Sequence, residues 1–470
     1  MKRFGRTWRN WVMGSEWKMA LLGEVVTTND STYSPRENWD IINYLDTSNI
    51  TENNIDEIKH LVVGKDTIPS RARRKVCHGD IVYSTVRPNQ KHHGIISNPP
   101  ENLLVSTGFT TIRADEKIAD TNYIYWYLTQ PIITEVLQTI GEHTASAYPS
   151  IKPSDIEKLE ILLPPLPEQK AIAHVLGSLD DKIELNRRMN ATLEGMAQAL
   201  FKSWFVDFDP VLDNAIAAGN PIPEELAERA ELRRQALANG TANREAAKQF
   251  PAAFQPTEEL GWIPVGWEAL QLETLIELIG GGTPKTSIDE YWNGNIPWFS
   301  VVDAPNDSDV FVIDTDKKIT ELGVKNSSTK VLRKGSTIIS ARGTVGKCAL
   351  VGPEMAMNQS CYGIHGANGI SDIYIYYTIR EFVADLQQHG HGSVFNTITR
   401  GTFKSIYVPF GRSELTQDFD KTVNPFLERI CSNLFQNVEL TKLRDTLLPK
   451  LISGELRIPE VEKLAEEALV

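Results

Sequence analysis

One stretch of the chain is similar to a motif that acts on DNA but lacks a residue that the chemistry requires. The segment "SNPPEN" (97–102) follows the Asn-Pro-Pro-aromatic pattern with which adenine methyltransferases stack on a flipped base. Glu101 stands where the aromatic ring is needed, and no F-x-G-x-G stretch for a methyl donor accompanies it. We therefore interpret the segment as a prolyl turn.

Two glycine-rich stretches approach the phosphate-binding loop of nucleotide-binding proteins without completing it. In "ARGTVGKC" (341–348), Ala341 stands where the loop requires Gly, and Cys348 stands where it requires Ser or Thr. In "IGGGTPKT" (279–286), Pro284 replaces the glycine before the lysine. Neither stretch is expected to bind nucleotide.

The candidate metal ligands are too few or too scattered to predict a site. Asp46, Glu57 and Lys59 have the residue types of a metal-dependent nuclease triplet, but so short a pattern arises easily when 23% of residues are charged. His92 and His93 are adjacent without an evident third ligand. We expect no metal and no cofactor in this chain. We expect reduced thiols at four cysteines that lack C-x-x-C spacing: Cys77, Cys348, Cys361 and Cys431.

Two basic segments stand out in a chain whose net charge is −13. Lys65–Lys91 has seven Lys or Arg against two acids, and Lys325–Lys347 has six and none. The overall charge argues against a protein that coats nucleic acid indiscriminately, but not against local DNA contacts. Such segments are also common as solvated surface, and that alternative remains open.

The basic segments flank similar strands, "HGDIVYSTVR" (78–87) and "KGSTIISARG" (334–343). Lysines there would neutralise phosphates, and some arginines, with Asn89, Gln90 and Asn358, could reach base edges. The predicted DNA-contact residues are Arg71, Arg73, Arg74, Lys75, Arg87, Lys91, Lys330, Arg333, Lys334, Arg342 and Lys347.

The sequence indicates an internal repeat. "ASAYPSIKPSDIEKLEIL" from Ala145 aligns with "GSVFNTITRGTFKSIYVP" from Gly392 at a constant offset of 247 residues. Upstream the likeness is looser, as between "EWKMALLGEVV" and "GWEALQLETLI". The pattern predicts two globular units of short strands, each with one helix (123–139 and 373–388) and each followed by a long helix.

The long helices carry a seven-residue apolar repeat from Ile172 to Leu200 and from Phe419 to Leu447. The first helix is expected to begin after "LLPPLPEQ"; the second is expected to begin near Ser413 and to stop at Pro449. The repeat predicts an antiparallel coiled-coil pair. Two asparagines interrupt each apolar seam, at Asn186, Asn190, Asn433 and Asn437.

In an antiparallel pair, Asn186 faces Asn437 and Asn190 faces Asn433. A slipped register would leave these amides against apolar side chains, at about 1–3 kcal/mol per unpaired group, so we predict that they fix the alignment. The alternative is that each lies in solvent at the edge of its helix. Arg444, opposite Leu179, does not fit the seam.

The first seam spans about 43 Å at 1.5 Å per residue. Two globular heads held about that far apart would suit two half-sites one DNA turn apart, roughly 34–36 Å. The sequence therefore predicts that the helix pair acts as a ruler.

A specific family resemblance rests on the segments just described. "YPSIKPSDIEKLEILLPPLPEQKAIAHVLGSLDDKIELNRRMNATLEGMAQALFKSWFVDFDPV" closely resembles the central conserved region of specificity subunits of type I restriction-modification enzymes. "GWIPVGWEALQLETL" and "LLPKLISGELRI" resemble the opening of the second repeat and the C-terminal end of that family. The likeness covers nearly the full length, although the N-terminal extension and the long connector depart from it.

The resemblance implies a non-catalytic protein with two target recognition domains, each reading one half of a split, asymmetric double-stranded DNA target. It further implies that the antiparallel helices hold two methyltransferase subunits and that restriction (motor) subunits join them. Methylation and ATP-dependent cleavage, with S-adenosylmethionine, ATP and Mg, would belong to those partners. A stand-alone nuclease or methyltransferase and a structural coiled-coil scaffold are the alternatives.

We therefore predict an α+β protein without a membrane span, located in the cytoplasm. The connector, with ten acidic and five basic residues in 207–260, is expected to be partly helical. The predicted division is an N-terminal extension (1–16), a first recognition domain (17–166), a central helix (167–206), an acidic connector (207–262), a second recognition domain (263–412), a C-terminal helix (413–449) and an acidic tail (450–470).

Overall fold

The computed structural model describes residues 17–144, 148–389, 397–459, 461 and 468. The predicted extension 1–16 and most of the tail beyond 459 lie outside these residues. The chain divides into two units of mixed helix and sheet. The first contains the chain up to Ile183 together with the segment from Glu439 onward, and the second is Glu184–Val438.

The first unit is built on two four-stranded sheets. Its elements in chain order are β1 (Lys18–Leu21), β2 (Val26–Thr28), β3 (Ile41–Leu45), β4 (Ile50–Thr51), β5 (Asn54–Ile55), β6 (Lys59–Val62), β7 (Ala72–Lys75), β8 (Ile81–Ser84), β9 (His93–Ile95), β10 (Leu103–Ser106), β11 (Phe109–Ala114), α1 (Thr121–Leu128), α2 (Pro131–Glu142), α3 (Pro153–Glu157), β12 (Glu160–Leu163) and the start of α4 (Leu166–Phe205). The sheet orders are β6-β3-β10-β7 and β2-β11-β8-β9, and β1 pairs with β12.

The helix predicted over 123–139 is two helices, α1 and α2, so that prediction was wrong. Gln130, which precedes Pro131, has φ −58° and ψ 139°. A proline ring disfavours helical ψ in the residue before it, so α1 ends and Pro131 opens α2 at a position where its missing N–H costs nothing. All residues of α1 from Tyr123 to Leu128 are buried in the core of this unit.

The acidic connector folds as helices and a hairpin: α5 (Asp209–Ala218), α6 (Ala227–Ala238), α7 (Arg244–Ala247), β13 (Phe254–Thr257) and β14 (Gly261–Pro264). Asp209 and Asp213 are buried on α5, and each receives two guanidinium hydrogen bonds of 2.6–2.8 Å, from Arg229 and Arg233 of α6. Buried carboxylates with bidentate partners hold one helix against the other, so much of the connector is an ordered part of the second unit.

The second unit contains a five-stranded and a three-stranded sheet. Its further elements are β15 (Glu268–Gln271), α8 (Leu272–Leu275), β16 (Ile276–Gly280), β17 (Trp292–Phe299), β18 (Phe311–Val312), β19 (Lys318–Ile319), α9 (Glu321–Lys325), β20 (Thr337–Ser340), β21 (Cys348–Val351), β22 (Ala356–Met357), β23 (Cys361–Gly366), α10 (Asp372–His389), α11 (Arg400–Ser405), β24 (Tyr407–Phe410) and α12 (Ser413–Ile452). The sheet orders are β16-β23-β20-β21-β18 and β19-β17-β22, and β15 pairs with β24.

Several elements of the two units have matching places in the chain. In the first unit the first strand, β1, pairs antiparallel with the last, β12, and in the second unit β15, which follows the β13–β14 hairpin, pairs antiparallel with the last strand, β24. The bounds of β24 lie 247 residues after those of β12, which is the offset found in the sequence. These matches support the internal repeat, which remains a prediction.

The two long helices are each 40 residues long. α12 begins at Ser413, but it passes through Pro449 to Ile452, so the predicted stop was wrong. Pro449 lies in the last turn, where its missing N–H leaves a single carbonyl without a helical donor. The helix ends where Gly454 takes a φ of +74° and its N–H donates to the Leu451 carbonyl at 3.2 Å.

Within the second unit the asparagines of α4 and α12 lie in contact. Asn433 donates its amide to Asn190 at 2.8 Å, and Asn186 donates to Asn437 at 2.8 Å. Asn186, Asn190 and Asn433 are buried. The solvated-edge alternative therefore does not hold for these three, and the contacts are the ones expected for antiparallel pairing.

Charged side chains also form contacts with these helices inside each unit. In the first unit Arg444 of α12 pairs with Asp180 of α4, which gives its guanidinium a partner beside the apolar seam. In the second unit Tyr377 of α10 donates to the buried carboxylate of Glu194 on α4 at 2.7 Å, and Arg380 pairs with the same carboxylate. A buried charge without such a partner would be costly.

Replacing Asn190 with leucine should lower the melting temperature, because the buried amide of Asn433 would lose its partner at a cost of roughly 1–3 kcal/mol. The double variant Asn190→Leu/Asn433→Leu should recover most of the loss, since both polar groups are then removed together. Thermal melting followed by circular dichroism measures both. Gln198→Leu, at an exposed position of α4, is the matched control. Equal melting temperatures for wild type and the single variant would contradict the prediction.

Candidate nucleic-acid interface

The basic residues that end β7 are mostly held by the first unit itself. Lys75 pairs with Glu37 and lies 5.1 Å from the centre of the Trp39 ring. Arg74 is half-buried, and its Nε has no hydrogen-bond partner among the described residues. Arg73 donates to the Ser70 carbonyl at 3.4 Å. Arg71, just before β7, is the most exposed of these residues. Fewer basic side chains of this segment are therefore free to contact DNA than its charge suggests.

The basic loop after β8 is exposed and rigid. Arg87 and Lys91 both have left-handed backbone conformations, with φ values of 49° and 55°, and flank a 3₁₀ turn over Pro88–Gln90. The Arg87 guanidinium lies 4.8 Å from the centre of the Tyr148 ring. Lys91 pairs with Glu52 at 2.6 Å. The loop therefore presents its arginine in a fixed position.

The second unit exposes all five of its predicted contact residues. Arg333 pairs with Asp372 at 2.8 Å, so its charge is partly neutralised. Arg342 follows β20 and forms a backbone bridge with Thr397. Lys330, Lys334 and Lys347 make no ion pair within the described part of the chain, which leaves their charges available to phosphates.

The same backbone contact positions the basic segment in each unit. β8 and β20 are buried at all four residues, and an exposed arginine follows each strand. The N–H of Ile151 donates to the Thr85 carbonyl at 2.8 Å, and the N–H of Ile398 donates to the Ala341 carbonyl at 2.9 Å. Ile151 and Ile398 are 247 residues apart. Each unit thus ties its basic segment to the chain just before its short helix, α3 or α11.

The segments with partial methyltransferase and nucleotide-binding motifs form turns. The "SNPPEN" segment is a surface turn in which Asn98 takes a φ of 46° and the Glu101 carbonyl accepts from Asn43 at 2.7 Å. The "ARGTVGKC" segment is the turn between β20 and β21, where the Gly346 N–H donates to the Ser340 carbonyl. Among the described residues, no group of three or more His, Cys, Asp and Glu is placed to hold a metal ion.

The two adjacent histidines occupy different environments. His93 is buried between Tyr83 and Tyr125, and burial lowers its pKa to about 4. His92 is half-buried, with its Nδ1 2.7 Å from the Ile50 carbonyl. His93 is therefore neutral at physiological pH and belongs to the core.

The sequence did not indicate which residues contact the basic side chains and so determine whether those side chains are free to contact DNA. Tyr148 and Glu52 are far from Arg87 and Lys91 in the chain, and no local pattern connects them. Asn358, which we considered able to reach bases, is half-buried and accepts from the Ser360 N–H at 2.9 Å. The identity of the other predicted contact residues as DNA ligands remains a prediction.

Comparisons with known proteins agree on one family. The family described as "Type I restriction modification DNA specificity domain" matches residues 14–195 and 264–417. The specificity subunit of the type I restriction enzyme HindI from Haemophilus influenzae is 29% identical over 469 residues, covering 94% of this chain and 100% of that protein. The MjaIX specificity subunit from Methanocaldococcus jannaschii is 25% identical over 417 residues, covering 88% and 83%.

A solved structure shares the fold. The S subunit of a type I restriction-modification system from M. genitalium aligns with a TM-score of 0.52 at 15% identity, covering 94% of this chain and 98% of that one. Among the helices of the described residues, none is long and apolar enough to cross a membrane.

Replacing Lys334 and Lys347 together with alanine should weaken DNA binding mainly at low salt. Each unpaired lysine that meets a phosphate contributes about one to the slope of log K against log [salt], so the double variant should lose about two. Arg333→Ala should change the slope less, because Asp372 already neutralises that arginine. Binding to duplex DNA over a range of salt concentrations measures the slope. Lys421→Ala, an exposed lysine on α12, is the control, and an unchanged slope in the double variant would exclude these contacts.

Proposed function

The chain belongs to the type I restriction-modification DNA specificity family and is a specificity subunit of such a system; on that premise we propose that its two units read the two halves of a split DNA target. The observation that carries this proposal is the duplicated family match. The first matched range covers the strands of the first unit and most of α4, and the second covers β15 to β24 and the first residues of α12. Each unit also exposes a basic segment directly after a buried central strand.

The proposed target is asymmetric because the two basic segments differ in conformation. The first unit presents a 3₁₀ turn flanked by two left-handed residues, Arg87 and Lys91. The second presents a turn between β20 and β21 with glycines at positions 343 and 346. Different backbone shapes place different side chains against base edges, whereas lysines on either unit contact phosphates without regard to sequence.

Catalysis in this proposal belongs to partner subunits. The resemblance supports a complex in which two methyltransferase subunits use S-adenosylmethionine and restriction subunits use ATP and Mg. The helix pair is the proposed docking site for the methyltransferase subunits, and Leu185 and Met196 of α4 expose apolar side chains. We place the complex in the cytoplasm. Cleavage or methylation of DNA by the purified chain alone would instead favour a stand-alone enzyme.

Co-expression of the chain with a type I methyltransferase subunit, in cells without other adenine methylation, should produce one methylated motif. We expect two unlike half-sites separated by a fixed number of unspecified base pairs, because two different surfaces read them. Genome-wide mapping of methylated adenines measures the motif. A contiguous or palindromic motif would contradict reading by two units.

Insertion of seven residues into both α4 and α12 should lengthen the spacer that the complex accepts. A heptad preserves the apolar seam while adding about 10 Å to each helix, so the asparagine contacts can be kept. The same mapping of methylated adenines measures the spacer. Insertion of a heptad into α4 alone is the control, and it should abolish methylation because the helices no longer match. An unchanged spacer in the variant with both insertions would contradict the prediction that the helix pair sets the distance between the half-sites.

A further inference from the structure

We propose that the loop Arg87–Lys91 is the base-reading element of the first unit, in which Arg87 and the amides of Asn89 and Gln90 meet base edges in the major groove. We further propose that Tyr148 is the residue that positions Arg87. The proposal rests on the function proposed above and adds to it the residues that determine one half-site.

Hydrogen bonds from the loop backbone hold the loop in one conformation. The N–H of Arg87 donates to the Pro149 carbonyl at 2.9 Å, and the N–H of Lys91 donates to the Pro88 carbonyl at 3.0 Å. The N–H of Asn89 donates to the Gln138 side chain of α2 at 3.3 Å. A loop fixed in this way loses little conformational freedom on binding DNA, which favours affinity and a defined register.

Arg87 adopts a conformation that an arginine avoids unless its surroundings impose it. Its φ of 49° is left-handed, and it precedes a proline, which further restricts it. Pro88 is buried and anchors the loop beneath the surface. Backbone strain held in place by surrounding contacts is frequent at binding sites, where it directs a side chain outward.

The exposed side chains of the loop are those suited to reading bases. Arg87, Asn89 and Gln90 are exposed, and within the described residues the side-chain amides of Asn89 and Gln90 make no hydrogen bond. Arginine pairs bidentately with guanine, and asparagine or glutamine pairs bidentately with adenine. Lys91 differs, because its ion pair with Glu52 holds the end of the loop.

Tyr148 determines where the guanidinium of Arg87 lies. The ring centre is 4.8 Å from the guanidinium carbon, and 58% of the Tyr148 surface is exposed. Attraction between the guanidinium and the ring face restricts the orientations that the arginine can adopt. Arg87 is thereby prepared to donate two parallel hydrogen bonds to the O6 and N7 atoms of guanine.

The other basic residues of this unit are less suited to reading bases. Lys75 is held by Glu37 and Trp39, and the Arg74 Nε is buried. These residues would have to leave their present partners or positions to reach a base edge. Apart from Arg71, which is exposed, the loop thus requires the least rearrangement of the predicted contacts in the first unit.

The test is a set of variants of the full chain, each co-purified with the methyltransferase partner and bound to a library in which both half-sites are randomised. Arg87→Ala, Asn89→Ala and Gln90→Ala should each relax the preferred base at one position of the same half-site, by about 5- to 150-fold in discrimination. The other half-site should be unchanged in every variant. Lys117→Ala, at an exposed turn of the same unit, is the control.

Two variants of Tyr148 separate positioning from general stability. Tyr148→Ala should relax the same base position as Arg87→Ala, whereas Tyr148→Phe keeps the ring face and should retain the wild-type preference. A purely structural role would lower the melting temperature without changing the base preference. That result for Tyr148→Ala would overturn the positioning role.

Two outcomes distinguish this inference from the function on which it rests. If the wild-type complex selects two half-sites but the loop variants select the same bases as wild type, the loop is not the reader and only this inference fails. If the wild-type complex selects no sequence in either half-site, the proposed function fails as well. Loss of preference in one half-site alone supports both.

Discussion

The buried asparagines between α4 and α12 impose the constraint on which the rest of the structure depends. A buried amide N–H group that loses both water and a hydrogen-bond partner destabilises the fold, and the side-chain N–H groups of Asn186, Asn190 and Asn433 all donate within the protein. The Asn433 side-chain amide donates to the Asn190 oxygen in one alignment of the helices, while the Asn433 Oδ1 is buried without a hydrogen-bond partner among the described residues. Any other register would oppose an amide and an apolar side chain, so we expect these asparagines to contribute to the specificity of the alignment more than to stability.

The alignment of α4 and α12 also involves apolar residues, because each helix contributes to the core of both units. In the first unit Ile183 of α4 and Leu440 of α12 lie in one apolar core with the buried face of α1. In the second, Leu193 and Ile430 belong to the core that also contains α10. Each helix therefore forms part of the core of both units.

Local pairing determines which basic residues remain available to DNA. Glu37 and Asp372 neutralise Lys75 and Arg333, whereas Lys334 and Lys347 keep unpaired charges within the described residues. A count of charges along the chain treats these residues alike. Their difference arises from acids that are distant in sequence and adjacent in space.

The sequence by itself determined the mixed helix and sheet content, the start of the second long helix at Ser413 and the membership of the family, because periodicity and motif spacing are properties of the chain. The end of α1 before Pro131 follows a local rule for the residue that precedes a proline, so the sequence already contained it. The sequence did not determine that α12 passes through Pro449. It also did not reveal that Tyr148 lies beside Arg87. Only the tertiary structure decided these points, since packing can override a local helix preference and since contacts between distant residues leave no local pattern.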